Sequence, residues 1–370
     1  MKTPSTPSCY DIIIVGLGPA GATLARLLSP RFKILAIDKK PGGAQGGFKK
    51  PCGGLLAPDA QNVLARFGLT LPSHVLVSPQ IFAVRTIDTT TRLIRYYQRF
   101  YLNLDRDRFD RWLISLIPPR VEVRQDACFK SLARNAGGAG YDVTYHQGGA
   151  DFTVSAKHVV GADGASSAVR GALYGARQNI RHYVAIQQWF RDEHAGPFYS
   201  CVFDPDTTDC YAWGLSKNGH FIFGGAFPPK NCRARFERLK ERMRQFGFRL
   251  GEPLKTEACM VLRPSGLFDC RAGRAGGFLL GEAAGFISPS SLEGISYAMA
   301  SALTLGKILN GNSRAPNRVY FLRTIPIRLR LFIKNLKIPF MYFKPLRRLV
   351  MATGIHSIDM ATAPGSISEQ

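Results

Sequence analysis

The chain has 370 residues, 45% apolar and 20% charged, enough for two or three packed units and unlike a disordered tail or a small stapled domain. Lys and Arg number 49 against 26 Asp and Glu, a formal charge of +23 that attracts anionic partners without choosing among nucleic acid, lipid headgroups, nucleotide cofactors and acidic proteins. Eight scattered cysteines with no CxxC pair argue against a zinc ribbon or a disulfide framework, so no metal site is expected and reduced thiols in a cytoplasmic protein are the simpler reading.

The first residues lack the layout of a secretion signal, and the longest uncharged stretch, Gly294 to Gly306, is too short and too polar to span a bilayer. Peripheral contact with the inner face of the cell membrane stays compatible with this. Ile12 to Val15 is a β-branched run that ends at Gly16-Leu17-Gly18-Pro19-Ala20-Gly21, after which Ala22, Leu24, Ala25, Leu27 and Leu28 recur at helical density. The pattern predicts strand, tight turn and helix. Gly16 permits the turn, Gly18 lets a pyrophosphate approach the backbone, and Gly21 lets the helix lie close on the strand. The helix opens at Pro19 and Ala20 with free N–H groups for the phosphates. A second strand, Phe32 to Ile37, ends in Asp38, whose carboxylate suits an adenosine ribose, with Lys39 beside it as a further cofactor contact. These elements predict a dinucleotide site, for FAD or NAD.

Lys50-Pro51-Cys52-Gly53-Gly54-Leu55-Leu56 follows. Alternation from Gln80 to Gln98 predicts a hairpin. Asp105-Arg106-Asp107-Arg108-Phe109-Asp110 reads either as a cofactor contact through Arg106 or as a solvated helix start. After the strand-like His158-Val159-Val160 comes Gly161-Ala162-Asp163-Gly164-Ala165-Ser166-Ser167-Ala168-Val169-Arg170, in which Asp163 can cap the next helix. Asn218-Gly219 is a type I′ turn signal inside Tyr211-Ala212-Trp213-Gly214-Leu215-Ser216-Lys217-Asn218-Gly219. Phe236, Leu239, Met243 and Phe246 mark one face of an Arg-rich helix. Gly277 to Leu280 is another apolar strand, leading into Gly281-Glu282-Ala283-Ala284-Gly285-Phe286-Ile287-Ser288-Pro289 and, through Glu293, into Gly294-Ile295. A helix starting near Gly294 directs its positive end at any bound anion, and its Ala298, Ala300, Ser301 and Ala302 equally suit packing on a sheet.

The string at Gly161 resembles the flavoprotein superfamily of the para-hydroxybenzoate hydroxylase fold. The resemblance implies that Asp163 and Gly164 lie against the flavin pyrophosphate. It also implies that the acid after Gly281 binds the ribityl chain and that Pro289, Gly294 and Ile295 approach the isoalloxazine ring. The acid here is Glu282, one methylene longer than the family's Asp. The Pro51-Cys52-Gly53-Gly54 string, the Asp-Arg-x-x-Phe-Asp string and the aromatic hairpin are similar to the geranylgeranyl reductase branch, whose members use reduced FAD to saturate isoprenoid double bonds. On that likeness Cys52, Gly53, Gly54 and Arg106 join the cofactor site and Cys52 and Gly294 are the candidate catalytic positions, Cys52 donating a proton or only shaping the pocket. Tyr211 and Trp213 line an apolar substrate pocket or belong to the core.

The expected fold is therefore α/β. A discontinuous Rossmann-like FAD-binding domain takes residues 1–75, 100–175 and 260–310, a mostly antiparallel substrate sheet takes 76–99 and 176–259, and a basic helical region takes 311–370. The expected activity is hydride transfer from reduced FAD to an isoprenoid double bond, with an aromatic or polyketide monooxygenase and a non-catalytic prenyl-lipid binder as alternatives. Electrons would come from NAD(P)H or an acidic protein such as ferredoxin. No acidic residue falls between Glu293 and Asp359, and the cations from Arg314 to Arg348 interleave with bulky apolar residues. That segment suits an anionic membrane surface, an acidic electron donor, or a solvated helical cap. No nucleic-acid docking element is present, so no nucleic-acid partner is expected.

Overall fold

The computed structural model describes residues 9–42, 51–135, 138, 140–175, 180–194, 196 and 198–359. Lys50 of the Pro51-Cys52 string and the outer ends of the expected domain spans lie outside the described residues. Two sheets organise the chain.

The first sheet is built on five parallel strands in the order Gly277–Leu279, Ala150–Gly161, Cys9–Val15, Ile34–Ile37 and Glu122–Arg124. The β-branched run explains its centre. Ile12 and Ile14 point to one face, Ile13 and Val15 to the other, and at most 5% of each is exposed, as a parallel strand covered on both sides requires. Helices Pro19–Leu27 and Ile295–Asn310 cover one face, where Leu24, Ala25, Ala298, Ala302 and Leu305 join Ile12 and Ile14. The opposite face packs against Tyr141, Val143, Ala283, Ala284 and Phe286. Antiparallel strands Tyr141–Gln147 and Cys128–Arg134 extend from the first half of Ala150–Gly161.

The second sheet runs Lys255–Arg263, Arg181–Arg191, His220–Phe227, Ala212–Lys217, Phe198–Phe203, Ile81–Asp88, Leu93–Asn103 and Leu55–Leu56. All pairings are antiparallel except Phe198–Phe203 with Ile81–Asp88. The Gln80–Gln98 hairpin is present, and so is the turn at Asn218-Gly219, with φ of +48° and +75°. The sheet is wider than the expected 76–99 and 176–259. Leu55 pairs with Asn103, and the strand ending at Arg263 continues its pairing with Arg181–Arg191 past residue 259. Helix Cys232–Arg244 covers one face through Phe236, Leu239 and Met243, while Phe246 lies just beyond its end, half-buried. The other face carries Tyr183, Tyr199, Tyr211 and Trp213 toward Ile287 and Leu292, so the second sheet roofs the last glycine-rich motif of the first.

The C-terminal region is helical, at Pro316–Arg323, Ile325–Leu336, Ile338–Tyr342 and Lys344–Thr353. It does not behave as a purely solvated cap. Arg347 is buried and forms two hydrogen bonds with the Asp88 carboxylate, at 2.9 and 3.1 Å.

Candidate functional site

A cavity of about 450 Å³ lies between the two sheets, and every expected motif contributes to its wall. Its lining includes Gly16, Gly18, Pro19, Ala20, Asp38 and Lys39 from the first motif. Cys52, Gly53, Gly54 and Arg106 follow, then Asp163 and Gly164, then Glu282, Gly294 and Ile295, with Tyr211 and Trp213 from the roof. Gly21, Gly281 and Pro289 do not line it. A Cβ on Gly21 would stand 1.8 Å from the Gly16 carbonyl oxygen, so Gly21 lets the helix close on the turn, as expected. Gly281 donates its N–H to Ser301 Oγ at 3.0 Å. Pro289 is buried between the lining residues Ile287 and Ser291 in sequence, and its carbonyl accepts a bond from Arg263 Nε at 3.0 Å.

The residues present fit a dinucleotide. Gly18 is the N-cap of helix Pro19–Leu27, no side chain caps that helix end, its first turn has no acid, and a Cβ built on Gly18 would meet nothing within 4 Å. The open space is where a pyrophosphate would lie against the helix N-terminus. Helix Ile295–Asn310 likewise begins uncapped at Gly294 on the cavity wall, which favours negative charge there.

The three acids have structural partners as well as cavity exposure. Asp38 accepts hydrogen bonds from Leu17 N–H and Lys40 N–H, tying the end of the second strand to the glycine turn. Asp163 accepts from Ser167 Oγ and from Val169 N–H at 3.2 Å, so it organises the start of helix Ala168–Tyr174 while also lining the cavity. Burial holds its carboxyl above the usual carboxylate range despite those bonds. Glu282 accepts from Leu262 N–H at 3.0 Å, and its extra methylene carries the carboxylate to the roofing sheet.

The Cys52 loop is held by Lys217 and, through Arg106, by Asp110, two groups that sequence reasoning missed. Lys217 is buried and donates to Gly53 C=O at 2.7 Å and Leu104 C=O at 2.8 Å. Burial brings its ammonium down to about 8. Arg106 is half-buried, and Asp110 accepts its Nε–H at 2.8 Å and the Lys40 ammonium at 2.8 Å. Burial alone would lower the Arg106 pKa, but Asp110 and a hydrogen bond to the Cys52 sulfur outweigh it and keep the group above its ordinary range. Arg106 is thus placed by Asp110 against Cys52 and is not a solvated helix start. Two cations, buried Lys217 and half-buried Arg106, therefore flank the thiol.

A second missed group surrounds Glu293, beside Gly294. Its carboxylate accepts from Tyr101 O–H at 3.3 Å and Ser291 O–H at 3.1 Å, while Tyr211 O–H donates to Ser291 C=O. Tyr199, Tyr211, Trp213, Met260, Val261, Ile287 and Leu292 complete an apolar wall. Among the described residues no cluster of metal-ligating side chains is present, and no helix is long and apolar enough to cross a membrane.

Residues 9–191 match the family model of the FAD binding domain. The chain is 48% identical over 349 residues to the protein CbrA of Escherichia coli O9:H4 (strain HS), covering 94% of each. It belongs to the CbrA family. In fold it is similar to a geranylgeranyl bacteriochlorophyll reductase-like protein from Thermoplasma acidophilum, with a TM-score of 0.76, 20% identity and 93% and 91% of the two chains covered. It is also similar to PqsL, a probable FAD-dependent monooxygenase from Pseudomonas aeruginosa, with a TM-score of 0.69, 16% identity and 94% and 100% covered. This CbrA-family chain carries a FAD-binding domain, and FAD is its cofactor.

Proposed function

We propose that this protein saturates carbon–carbon double bonds of an isoprenoid chain. The observation that carries the reading is a thiol, Cys52, on the wall of a cavity whose roof is apolar and aromatic, held in a glycine loop between Arg106 and Lys217. Bound FAD, when reduced, supplies the hydride that adds to one alkene carbon. The chain's own residues do the rest. Cys52 gives its Sγ proton to the adjacent carbon, and solvent then returns a proton to the sulfur. The uncapped helix end at Gly294 stabilises negative charge at the cofactor, and the Tyr211, Trp213, Ile287 and Leu292 wall excludes water from an apolar chain.

The test is anaerobic. Purified protein is reduced chemically and mixed with a geranylgeranylated lipid. Return of the oxidised flavin absorbance, together with a product heavier by two hydrogens, is the expected result. A flavin that stays reduced until air is admitted refutes reduction of that lipid and moves the monooxygenase reading ahead.

A further inference from the structure

The helix Ile325–Leu336 is turned the opposite way from an ordinary surface helix. Arg328 and Leu331 face inward and are buried, whereas Ile325, Leu329, Phe332, Ile333 and Leu336 are between 38% and 57% exposed. At about 100° per residue these five side chains fall within a single stripe roughly 100° wide, on the side away from Leu331. Helix Lys344–Thr353 repeats the arrangement, with Arg347 and Met351 buried and Leu349 and Val350 exposed. Thirteen of the 20 large hydrophobic side chains exposed among the described residues lie between Phe321 and Ile358. Scattered exposed residues need no explanation, but a concentration of this kind does.

Charge selects the occupant. Arg323, Arg330, Lys337, Lys344 and Arg348 are exposed in the same segment, and no Asp or Glu occurs from Gly294 to Ile358. An apolar stripe bordered by cations, in a segment that itself carries no acid and meets acids from outside at Lys334, 4.0 Å from Asp59, and at the buried Arg347–Asp88 pair, matches the chemistry of an anionic lipid surface, where apolar side chains enter the headgroup boundary and cations meet phosphates. The position fits a lipid-borne substrate. Tyr342 O–H donates to Ser290 C=O at 2.7 Å, and Met341 and Tyr342 pack with Leu292 and Ile287, which line the cavity.

We infer that the helices from Pro316 to Thr353 dock this protein on an anionic bilayer, beside the wall of its cavity. The docking is independent of which reaction the flavin performs, so its failure would leave the proposed reduction untouched. The experiment is vesicle flotation of the full-length, FAD-loaded protein with phosphatidylcholine alone and with about 30 mol% phosphatidylglycerol. Flotation is expected with the anionic vesicles and is expected to decline in high salt. Each cation near the surface multiplies partitioning roughly fivefold, so Arg330→Glu with Lys337→Glu should reduce it by at least roughly 25-fold. Leu329→Glu with Ile333→Glu should abolish it while the flavin spectrum and melting temperature are retained, and Leu254→Glu, exposed elsewhere, should leave it unchanged. Absence of flotation, or flotation indifferent to the Leu329 and Ile333 substitutions, overturns the inference. So does light scattering that shows a wild-type dimer which those substitutions dissociate, since a second copy would then cover the face.

Discussion

Gly18 and Gly21 stand three residues apart in one turn, yet the structure assigns them opposite costs on substitution by alanine. A Cβ at Gly21 would lie 1.8 Å from the Gly16 oxygen and 3.0 Å from its carbonyl carbon. Relief requires the helix Pro19–Leu27 to retreat by more than about 1 Å from a sheet against which Ala22, Leu24 and Ala25 are buried. The gain in helix propensity, about 1 kcal/mol, does not offset such overpacking, and a net loss of about 2 kcal/mol or more is expected. At Gly18 φ is −70° and a Cβ meets nothing, so the apoprotein should keep its stability to within about 0.5 kcal/mol. The new methyl instead occupies the space assigned to the pyrophosphate, and FAD affinity should fall at least about tenfold, or 1.4 kcal/mol. Flavin is stripped, the apoproteins are melted by differential scanning fluorimetry, and FAD is titrated by fluorescence quenching. Gly21→Ala should melt several degrees lower, whereas Gly18→Ala should melt like the parent and bind FAD weakly. Parental FAD affinity in Gly18→Ala would refute the placement of the pyrophosphate, and a parental melting temperature in Gly21→Ala would refute the packing argument.

Replacement of Cys52 by alanine is expected to lower turnover in the anaerobic assay by about 10²-fold or more while FAD stays bound, and full turnover would reject the thiol as proton donor. Lys217 is a lysine whose pKa is lower in the folded state, about 8, than its ordinary 10.5. The unfolded chain therefore binds more protons between those values, and stability rises with pH across that window, by at most about 3 kcal/mol. Urea unfolding from pH 8 to 9.5 should show a steeper rise for the parent than for Lys217→Met, and parallel profiles would contradict the burial argument. Arg347→Met leaves the Asp88 carboxylate buried without its cation and should cost about 3–5 kcal/mol in urea unfolding, part of which Asp88→Asn should restore in the double variant.

The parts of the site that were legible in the sequence are those whose physics is local. Gly21 answers a steric demand set by the Gly16 carbonyl five positions before it, Gly16 takes the positive φ of the turn although a Cβ there would also meet the distant Ala162 and Asp163 backbone, and the strand Cys9–Val15 and the uncapped helix after it are readable from a β-branched run and a glycine. The hairpin at Asn218-Gly219 is equally local, since both residues must take positive φ. Lys217 was not legible for the opposite reason. It stands directly before an exposed turn, where a lysine reads as solvated, and it becomes buried only because the Cys52 loop and Leu104, far away in the chain, present two carbonyls to it. Arg347 and Asp88 are separated by 259 positions, and nothing near either one signals the other. Glu282 could be identified as an acid in the right place, but its bond to Leu262 crosses from one sheet to the other.

This division between local and long-range determinants has a functional consequence. The cofactor wall is made of short motifs carried by the first sheet and its helices, and it can stay the same while the roof changes. The roof is assembled from Tyr199, Tyr211, Trp213, Met260 and Val261 on several strands of the second sheet, with the C-terminal Tyr342 bracing the loop from Ser290 to Leu292. Tyr199, Trp213, Met260 and Val261 are placed by pairing across the sheet, so one substitution can reshape the pocket without disturbing a single cofactor motif. A fold shared at a TM-score of 0.76 with a reductase-like protein and of 0.69 with a probable monooxygenase is what such an arrangement should produce. The Cys52 loop meets Lys217 from the roofing sheet and Arg106 from helix Arg106–Ser115, so it connects the cofactor wall to the roof that varies.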